Sequence, residues 1–185
     1  GSTGVTSVNS NGSTAAAVFT NIESTDVALA TTSTNQDATF TFAAAAVSGS
    51  TDTATLTLNG QTAGTNTIAG VETLNIVSSG AANALTGLTA AAATTLNLSG
   101  DQTLDLGTAN TVATTVNAAD LTAALTLNTD VGGNTTVTGG SANDTITVTN
   151  TANNTDSITG GAGDDTIIFV GNGFTNADTV VGGAG

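Results

Sequence analysis

Apolar residues recur at a nearly fixed interval along the C-terminal half of the chain. One series is separated by steps of 20, 21, 21 and 22 residues, and a second series has steps of 21. The first consists of Leu96, Val116, Val137, Ile158 and Val180, and the second of Leu106, Leu127, Val148 and Phe169. Because the two series interleave about ten residues apart, each repeat of about 21 residues holds two short strands and two turns.

Within each short strand, apolar residues alternate with small polar ones, as in Leu104-Asp105-Leu106 and Ile146-Thr147. This alternation predicts one buried and one solvated face. A strand of this length buries its apolar side only when equivalent strands of successive repeats stack on it. The pattern therefore predicts an all-β fold, a parallel β-solenoid or β-roll with coils of about 21 residues, preceded by a less regular β segment.

That less regular segment covers residues 1–70. Its strand candidates include Val27-Ala28-Leu29 and Phe40-Thr41-Phe42, and Asn59-Gly60 resembles the start of a hairpin. Two interpretations are compatible with this pattern, namely early solenoid coils or a small antiparallel β-sandwich.

Composition limits the chemistry that the chain can perform. It has fourteen carboxylates, no Lys, Arg, His or Cys, and a net charge of −14. Without cationic side chains it cannot neutralise nucleic-acid phosphates, and without thiol, imidazole or amine groups it lacks the usual nucleophiles and bases. We therefore expect neither nucleic-acid binding nor catalysis. No apolar run reaches about 20 residues, so we expect no membrane insertion.

The fourteen carboxylates call for an external counter-charge, and two Gly-rich motifs indicate where it binds. Residues 160–168 read Gly-Gly-Ala-Gly-Asp-Asp-Thr-Ile-Ile and fit the nine-residue pattern G-G-x-G-x-D-x-U-x fully, and 139–147 fit it with Ala142 in place of the third Gly. Oxygen ligands favour a hard cation such as Ca²⁺. The predicted ligands are the carboxylates of Asp144 and Asp165, with carbonyls near Gly139, Gly140, Gly160, Gly161 and Gly163.

A second pair of acids occupies the sixth position of the intervening nine-residue units, which lack the paired Gly. Asp156 and Asp178 are 22 residues apart, so we expect them to stack on the opposite edge of the roll and add to the metal ligands. Counting back by one coil aligns Asp144 with Ala123 and Asp156 with Thr135. Residues 71–138 are therefore expected to form metal-free coils.

Residues 139–185 resemble the RTX family of secreted calcium-binding repeat proteins, on the strength of these motifs. The resemblance implies a β-roll, calcium-dependent folding and type I secretion. The chain stops at 182–185, inside a third motif, so we interpret this roll as truncated at its C-terminal end.

The phrase at 71–76, Val-Glu-Thr-Leu-Asn-Ile among Thr- and Ala-rich coils, is similar to RTX-type surface-layer (S-layer) proteins of Gram-negative bacteria. That resemblance implies an extracellular structural subunit on the bacterial cell surface, with self-assembly into a homo-oligomer or polymer. A polysaccharide anchor would lie outside this segment. The alternatives are the spacer of an RTX adhesin or an accessory calcium-binding module of a secreted enzyme. The missing basic and aromatic residues count against ligand recognition and favour the structural subunit.

Overall fold

The computed structural model describes residues 4–107, 109–111, 113–129, 133–149, 154–171 and 174–185. Every regular element among them is a β-strand. The strands are β1 (Ser7–Asn11), β2 (Ala17–Ile22), β3 (Ala28–Thr32), β4 (Ala38–Phe42), β5 (Thr53–Asn59), β6 (Thr65–Ala69), β7 (Thr73–Ser79), β8 (Asn83–Ala84), β9 (Gly87–Thr89), β10 (Thr95–Gly100), β11 (Leu104–Asp105), β12 (Ala109–Thr111), β13 (Thr115–Leu121), β14 (Leu125–Thr129), β15 (Thr136–Thr138), β16 (Thr145–Thr149), β17 (Ser157–Ala162), β18 (Thr166–Val170) and β19 (Thr179–Ala184).

The strands form three parallel sheets that wind into a β-solenoid of about eight turns with coils of about 21 residues. The long sheet has nine strands in the order β1-β3-β5-β7-β10-β13-β15-β17-β19. The N-terminal sheet has the order β12-β9-β6-β4-β2, and the C-terminal sheet has the order β18-β16-β14-β11-β8. The predicted fold class is confirmed. In the described part of the chain, no helix has the length and apolar character needed to span a membrane.

Residues 7–69 belong to this same solenoid. Strands β1, β3 and β5 enter the long sheet, and β2, β4 and β6 enter the N-terminal sheet, all in parallel. These residues therefore form early coils, and the antiparallel sandwich does not occur among them. The hairpin expected at Asn59-Gly60 is wrong, because β5 and β6 lie in different sheets. Gly60, at φ +70°, makes the corner between them.

The core is a narrow stack of inward residues that follows the first apolar series. In the long sheet, Leu74 pairs with Leu96, Leu96 with Val116, Val116 with Val137, and Val137 with Ile158. Each of these side chains is buried. The series thus marks equivalent positions of successive coils, and stacking hides apolar surface that a single strand would expose.

The second series needs one correction. Leu127 lies beside Ile146, and Val148 lies beside Thr129, so the step between these coils is 19 residues. Two local changes explain the difference. Asn97 pairs with Asn117 but Ser99 pairs with Asp120, so a β-bulge gives β13 one extra residue before the corner. The next coil is also one residue shorter through its 139–144 loop than the coil before the bulge, since Thr138 to Thr145 spans seven residues and Asn97 to Asp105 spans eight. Because the resulting shift is an even number of residues, Leu127 still faces inward. Val148 does stack on Phe169, as expected.

Candidate metal centre

Two lines of equivalent residues run along the solenoid at its corners. The first ladder contains the residue at the start of each strand of the C-terminal sheet or just before it, and it extends through a hydrogen bond to Gln61. Its members are Gln61, Asn83, Leu104, Leu125, Asp144 and Asp165. The second ladder contains the residue just before each strand of the long sheet from β5 onward. Its members are Asp52, Glu72, Thr94, Thr114, Thr135, Asp156 and Asp178.

The predicted acids are therefore brought together in pairs. Asp144 and Asp165 are neighbours in the first ladder, and Asp156 and Asp178 are neighbours in the second. Asp156 stacks on Thr135, as the coil count predicted. Asp144 stacks on Leu125 and not on Ala123, because the β13 bulge lengthens the preceding coil by one residue and the 139–144 loop is one residue shorter.

One hydrogen-bond pattern joins successive coils in both ladders. The backbone N–H of one member donates to the side-chain oxygen of the next: Leu125 to Asp144 at 2.8 Å and Asp144 to Asp165 at 2.9 Å. In the second ladder, Thr135 donates to Asp156 and Asp156 to Asp178, both at 2.8 Å. The acids thus satisfy main-chain donors at the corners, where no strand partner supplies a carbonyl.

Asp144 is held entirely by backbone donors. Its side chain is buried, with Oδ1 accepting from Leu125 N–H and Oδ2 accepting from Gly140 N–H at 2.6 Å. Burial raises the pKa of this carboxyl above its ordinary value, and the charge of Asp165 adds to the increase, whereas the two N–H groups oppose it. The folded coil therefore carries an incompletely compensated negative charge at this corner.

Asp165 differs because one of its oxygens lacks a partner. Oδ1 accepts the N–H of Asp144, but Oδ2 is buried and accepts no hydrogen bond from any residue that the structure describes. A Cβ added at Gly160 would overlap both this oxygen and the carbonyl oxygen of Gly182. A carboxylate oxygen without a donor and a neighbouring carbonyl oxygen thus crowd the same glycine, an arrangement that a cation relieves.

The two Gly-rich loops have the same sequence pattern but different backbones. Gly161 and Gly163 have φ of +114° and +110°, so the 160–165 loop is partly left-handed. In the 139–144 loop, neither Gly140 nor Ala142 has a positive φ, and Gly140 N–H caps Asp144. No equivalent N–H reaches Oδ2 of Asp165. The difference at the second glycine is therefore what leaves this oxygen free.

Close approach also requires glycine at positions 139, 140 and 161, of which only Gly161 has a positive φ. A Cβ at Gly139 would overlap the carbonyl oxygen of Gly160, and a Cβ at Gly140 would overlap that of Leu121. A Cβ at Gly161 would likewise overlap the carbonyl oxygen of Gly140. The stacked loops thus bring several main-chain carbonyls together, and carbonyl oxygen is a ligand that Ca²⁺ accepts.

The second ladder offers less to a metal. Asp178 accepts N–H groups from Asp156 and Thr175 through its two oxygens. The hydrogen bond from Asp156, followed by that from Thr175, lowers the pKa of the Asp178 carboxyl, which keeps it ionised. Residues 151–153 and 172–173 of the two corresponding loops lie outside the described part of the chain.

A metal at either corner must use main-chain carbonyls, because no group of three or more acids that could hold an ion occurs in the described ranges. The residues around Asp165 fit a hard divalent cation: a carboxylate oxygen without a donor, a second carboxylate one coil away and glycine carbonyls. The carbonyl oxygen of Gly182, which lies close to Gly160, is a further candidate ligand that the motif alone did not indicate. The gap between the 160–165 loop and residues 182–185 is therefore a second candidate position for the ion, beside the space between the 139–144 and 160–165 loops that carry the predicted ligands.

Sequence reasoning missed a neutral counterpart of this ladder in the early coils. Asn83 Oδ1 accepts Gln61 N–H at 2.9 Å, the bond that Asp165 makes to Asp144. Gln61 and Asn83 are buried, and Asn66 donates to Gln61 Oε1 at 2.9 Å. The 22-residue spacing of two amide residues flanked by turns is the only signal of it in the sequence. The early coils therefore close this corner without charge.

No protein-family model and no curated protein sequence matches the chain.

Proposed function

We propose that this chain is a structural segment of an extracellular bacterial surface protein whose C-terminal coils take up Ca²⁺. The observation that carries the proposal is the Oδ2 atom of Asp165, a buried carboxylate oxygen without a donor that faces the same glycine as a main-chain carbonyl. Burying a charged oxygen without a partner is costly in a protein of this size. A bound cation supplies the missing positive charge.

The distribution of polar groups along the first ladder supports calcium control of one end only. Gln61, Asn83, Leu104 and Leu125 are uncharged, whereas Asp144 and Asp165 place two carboxylates in adjacent coils. The charge of Asp165 disfavours the ionised form of Asp144, because like charges repel each other in a partly buried site. Calcium then acts as the cross-link between the coils of Asp144 and Asp165, which stack on coils whose first-ladder residues are uncharged.

Calcium titration followed by isothermal calorimetry and thermal melting tests this proposal. We expect saturable binding in the presence of calcium, with weaker binding of Mg²⁺ because Mg²⁺ demands stricter octahedral geometry. At a calcium concentration 100 times the dissociation constant, one site stabilises the fold by about 2.7 kcal/mol. Identical melting curves in calcium and in chelator, together with no heat of binding, would contradict the proposal.

The extracellular and assembly parts of the proposal rest on the RTX resemblance and on composition. A chain without Lys, Arg, Cys or His offers no cationic contact to a partner, so copies associate through polar main chain, apolar surface or shared calcium. Crosslinking with a carboxylate-reactive reagent, combined with light scattering against calcium concentration, tests assembly. A series of homo-oligomeric bands supports a surface-layer or matrix subunit, whereas a strictly monomeric particle favours the adhesin spacer.

A further inference from the structure

The outer face of the long sheet carries a polar trough of about 500 Å³ that is separate from the acid ladders. Asn75, Asn97 and Asn117 line it from successive strands β7, β10 and β13, and Asp120 of β13 also lines it. Val77 provides an apolar surface on its wall. The trough thus combines amide donors and acceptors, one carboxylate and an aliphatic contact within a single concave surface.

A series of side-chain hydrogen bonds between neighbouring strands runs along this face and ends at Asn97. Asn75 Nδ2 donates to Thr55 Oγ1 at 3.4 Å, and Asn97 Nδ2 donates to Asn75 Oδ1 at 2.9 Å. The next bond of the series, from Asn117 Nδ2 to Asn97 Oδ1, does not form; Asn117 instead accepts Ala119 N–H through its Oδ1 at 3.1 Å within the bulge. In the described residues, Oδ1 of Asn97 and Nδ2 of Asn117 therefore remain without a hydrogen-bond partner.

The bulge of β13 also brings the carboxylate to this face. One extra residue between Asn117 and Leu121 breaks the alternation, so Ala119 and Asp120 are both exposed while Ala118 and Leu121 are both buried. Bulges re-aim side chains in this way and are frequent beside functional sites. In the described strands of the long sheet, Asp120 is the only acid whose side chain lies on the outer face.

From these groups we infer that the trough binds a neutral carbohydrate, as one pyranose unit of a glycan chain. A sugar hydroxyl donates to a carboxylate or an amide oxygen and accepts from an amide N–H, which are the free groups of Asp120, Asn97 and Asn117. Val77 contacts an aliphatic face of the ring. The net charge of −14 repels an anionic polysaccharide, which disfavours acidic sugars as ligands.

The affinity per unit is low, since the chain contributes no aromatic stacking surface to the trough. A dissociation constant of about 1 mM is expected for one unit. Repeated attachment along a polysaccharide by many copies of the protein raises the effective affinity without any new contact. The inference does not depend on calcium, because no acid of the first or second ladder lines the trough.

Titration of the intact chain with three neutral trisaccharides, maltotriose, cellotriose and triacetylchitotriose, tests the inference by NMR. We expect saturable shifts of the side-chain amide signals of Asn97 and Asn117 with at least one of them. The isosteric variant Asp120→Asn should weaken that binding about tenfold, whereas Asp101→Asn, which makes the same charge change at an exposed turn, should leave it unchanged.

A second variant, Asn117→Ala, should also abolish the Asn97 shift while the melting temperature in calcium identifies any loss of folding. Absence of saturable shifts with all three sugars would overturn the inference. Shifts that spread over the acidic corners, or that Asp101→Asn and Asp120→Asn reduce equally, would also overturn it, because they would show non-specific association with the charged surface.

Discussion

The backbone N–H of Asp144 donates a 2.9 Å hydrogen bond to Oδ1 of Asp165, which occupies the same position of the next coil. The other oxygen of Asp165 is buried without a donor. One carboxylate therefore has two roles: Oδ1 continues the hydrogen bonding between coils, and Oδ2 is available to a cation. Substitutions that preserve Oδ1 and change Oδ2 separate these roles.

Asp165→Asn is expected to have opposite effects in the absence and presence of calcium. In chelator, the variant keeps the acceptor for Asp144 N–H and removes a buried charge, so its melting temperature should equal or exceed that of the parent by about 2–4 °C. In calcium, the stabilisation by the ion should fall because a charged ligand is lost. Circular-dichroism melts over a calcium titration measure both effects.

The matched control for this variant is Asp164→Asn. Asp164 is exposed and adjacent in sequence, so it gives the same change in net charge without changing the buried oxygen. Its melting temperature should respond to calcium as the parent does. Equal loss of the calcium response in the two variants would assign the effect to overall charge and not to a specific site.

Chelation of calcium should loosen the C-terminal coils selectively. Amide hydrogen exchange in β16, β17 and β18 should accelerate, whereas exchange in β5, β7 and β10 should change little. The reason is the composition of the first ladder, which is acidic at Asp144 and Asp165 but neutral at Gln61 and Asn83. Uniform acceleration along the chain would contradict the proposal that calcium acts locally.

Introducing Asp at position 146 should destabilise the fold far more than introducing it at position 147. Ile146 is fully buried, and Thr147 faces outward beside Ile168. An unpaired charge in the core costs about 3 kcal/mol or more, whereas an exposed one costs about 0.5 kcal/mol. Ile167→Asp should fall between them, because Ile167 is only half-buried. Chemical denaturation of the three variants gives the order, and a larger loss for Thr147→Asp would reverse the assigned faces.

Gly161→Ala should be destabilising in calcium and in chelator. Gly161 has φ of +114°, and its added Cβ would overlap the carbonyl oxygen of Gly140. A strained backbone of this kind costs about 1–3 kcal/mol. Gly133→Ala is the control, since among the described residues no atom outside its chain neighbours lies within 4 Å of its added Cβ, and it should change stability by less than about 0.5 kcal/mol. Comparable melting temperatures for the two variants would show that the 160–165 loop relaxes freely.

The sequence by itself determined the solenoid and the pairing of its acids. Leu96, Val116, Val137 and Ile158 identified equivalent coil positions, because a narrow core admits apolar side chains only at fixed intervals. The spacing of Asp144 and Asp165 by one coil was sufficient to stack them. Periodicity carries this information since neighbouring coils contact each other at every repeat.

Only the tertiary structure decided the exact stacking and the state of each carboxylate. The bulge at Asn117 and Asp120, together with the shorter 139–144 loop, placed Leu127 beside Ile146, a pair of local changes that no average period reveals. The second glycine has a positive φ in one loop, at Gly161, but not in the other, at Gly140. Asp144 therefore has a backbone donor that Asp165 lacks. Which main-chain N–H reaches a given oxygen depends on backbone angles set by the coils above and below, and these angles are not encoded in the motif alone.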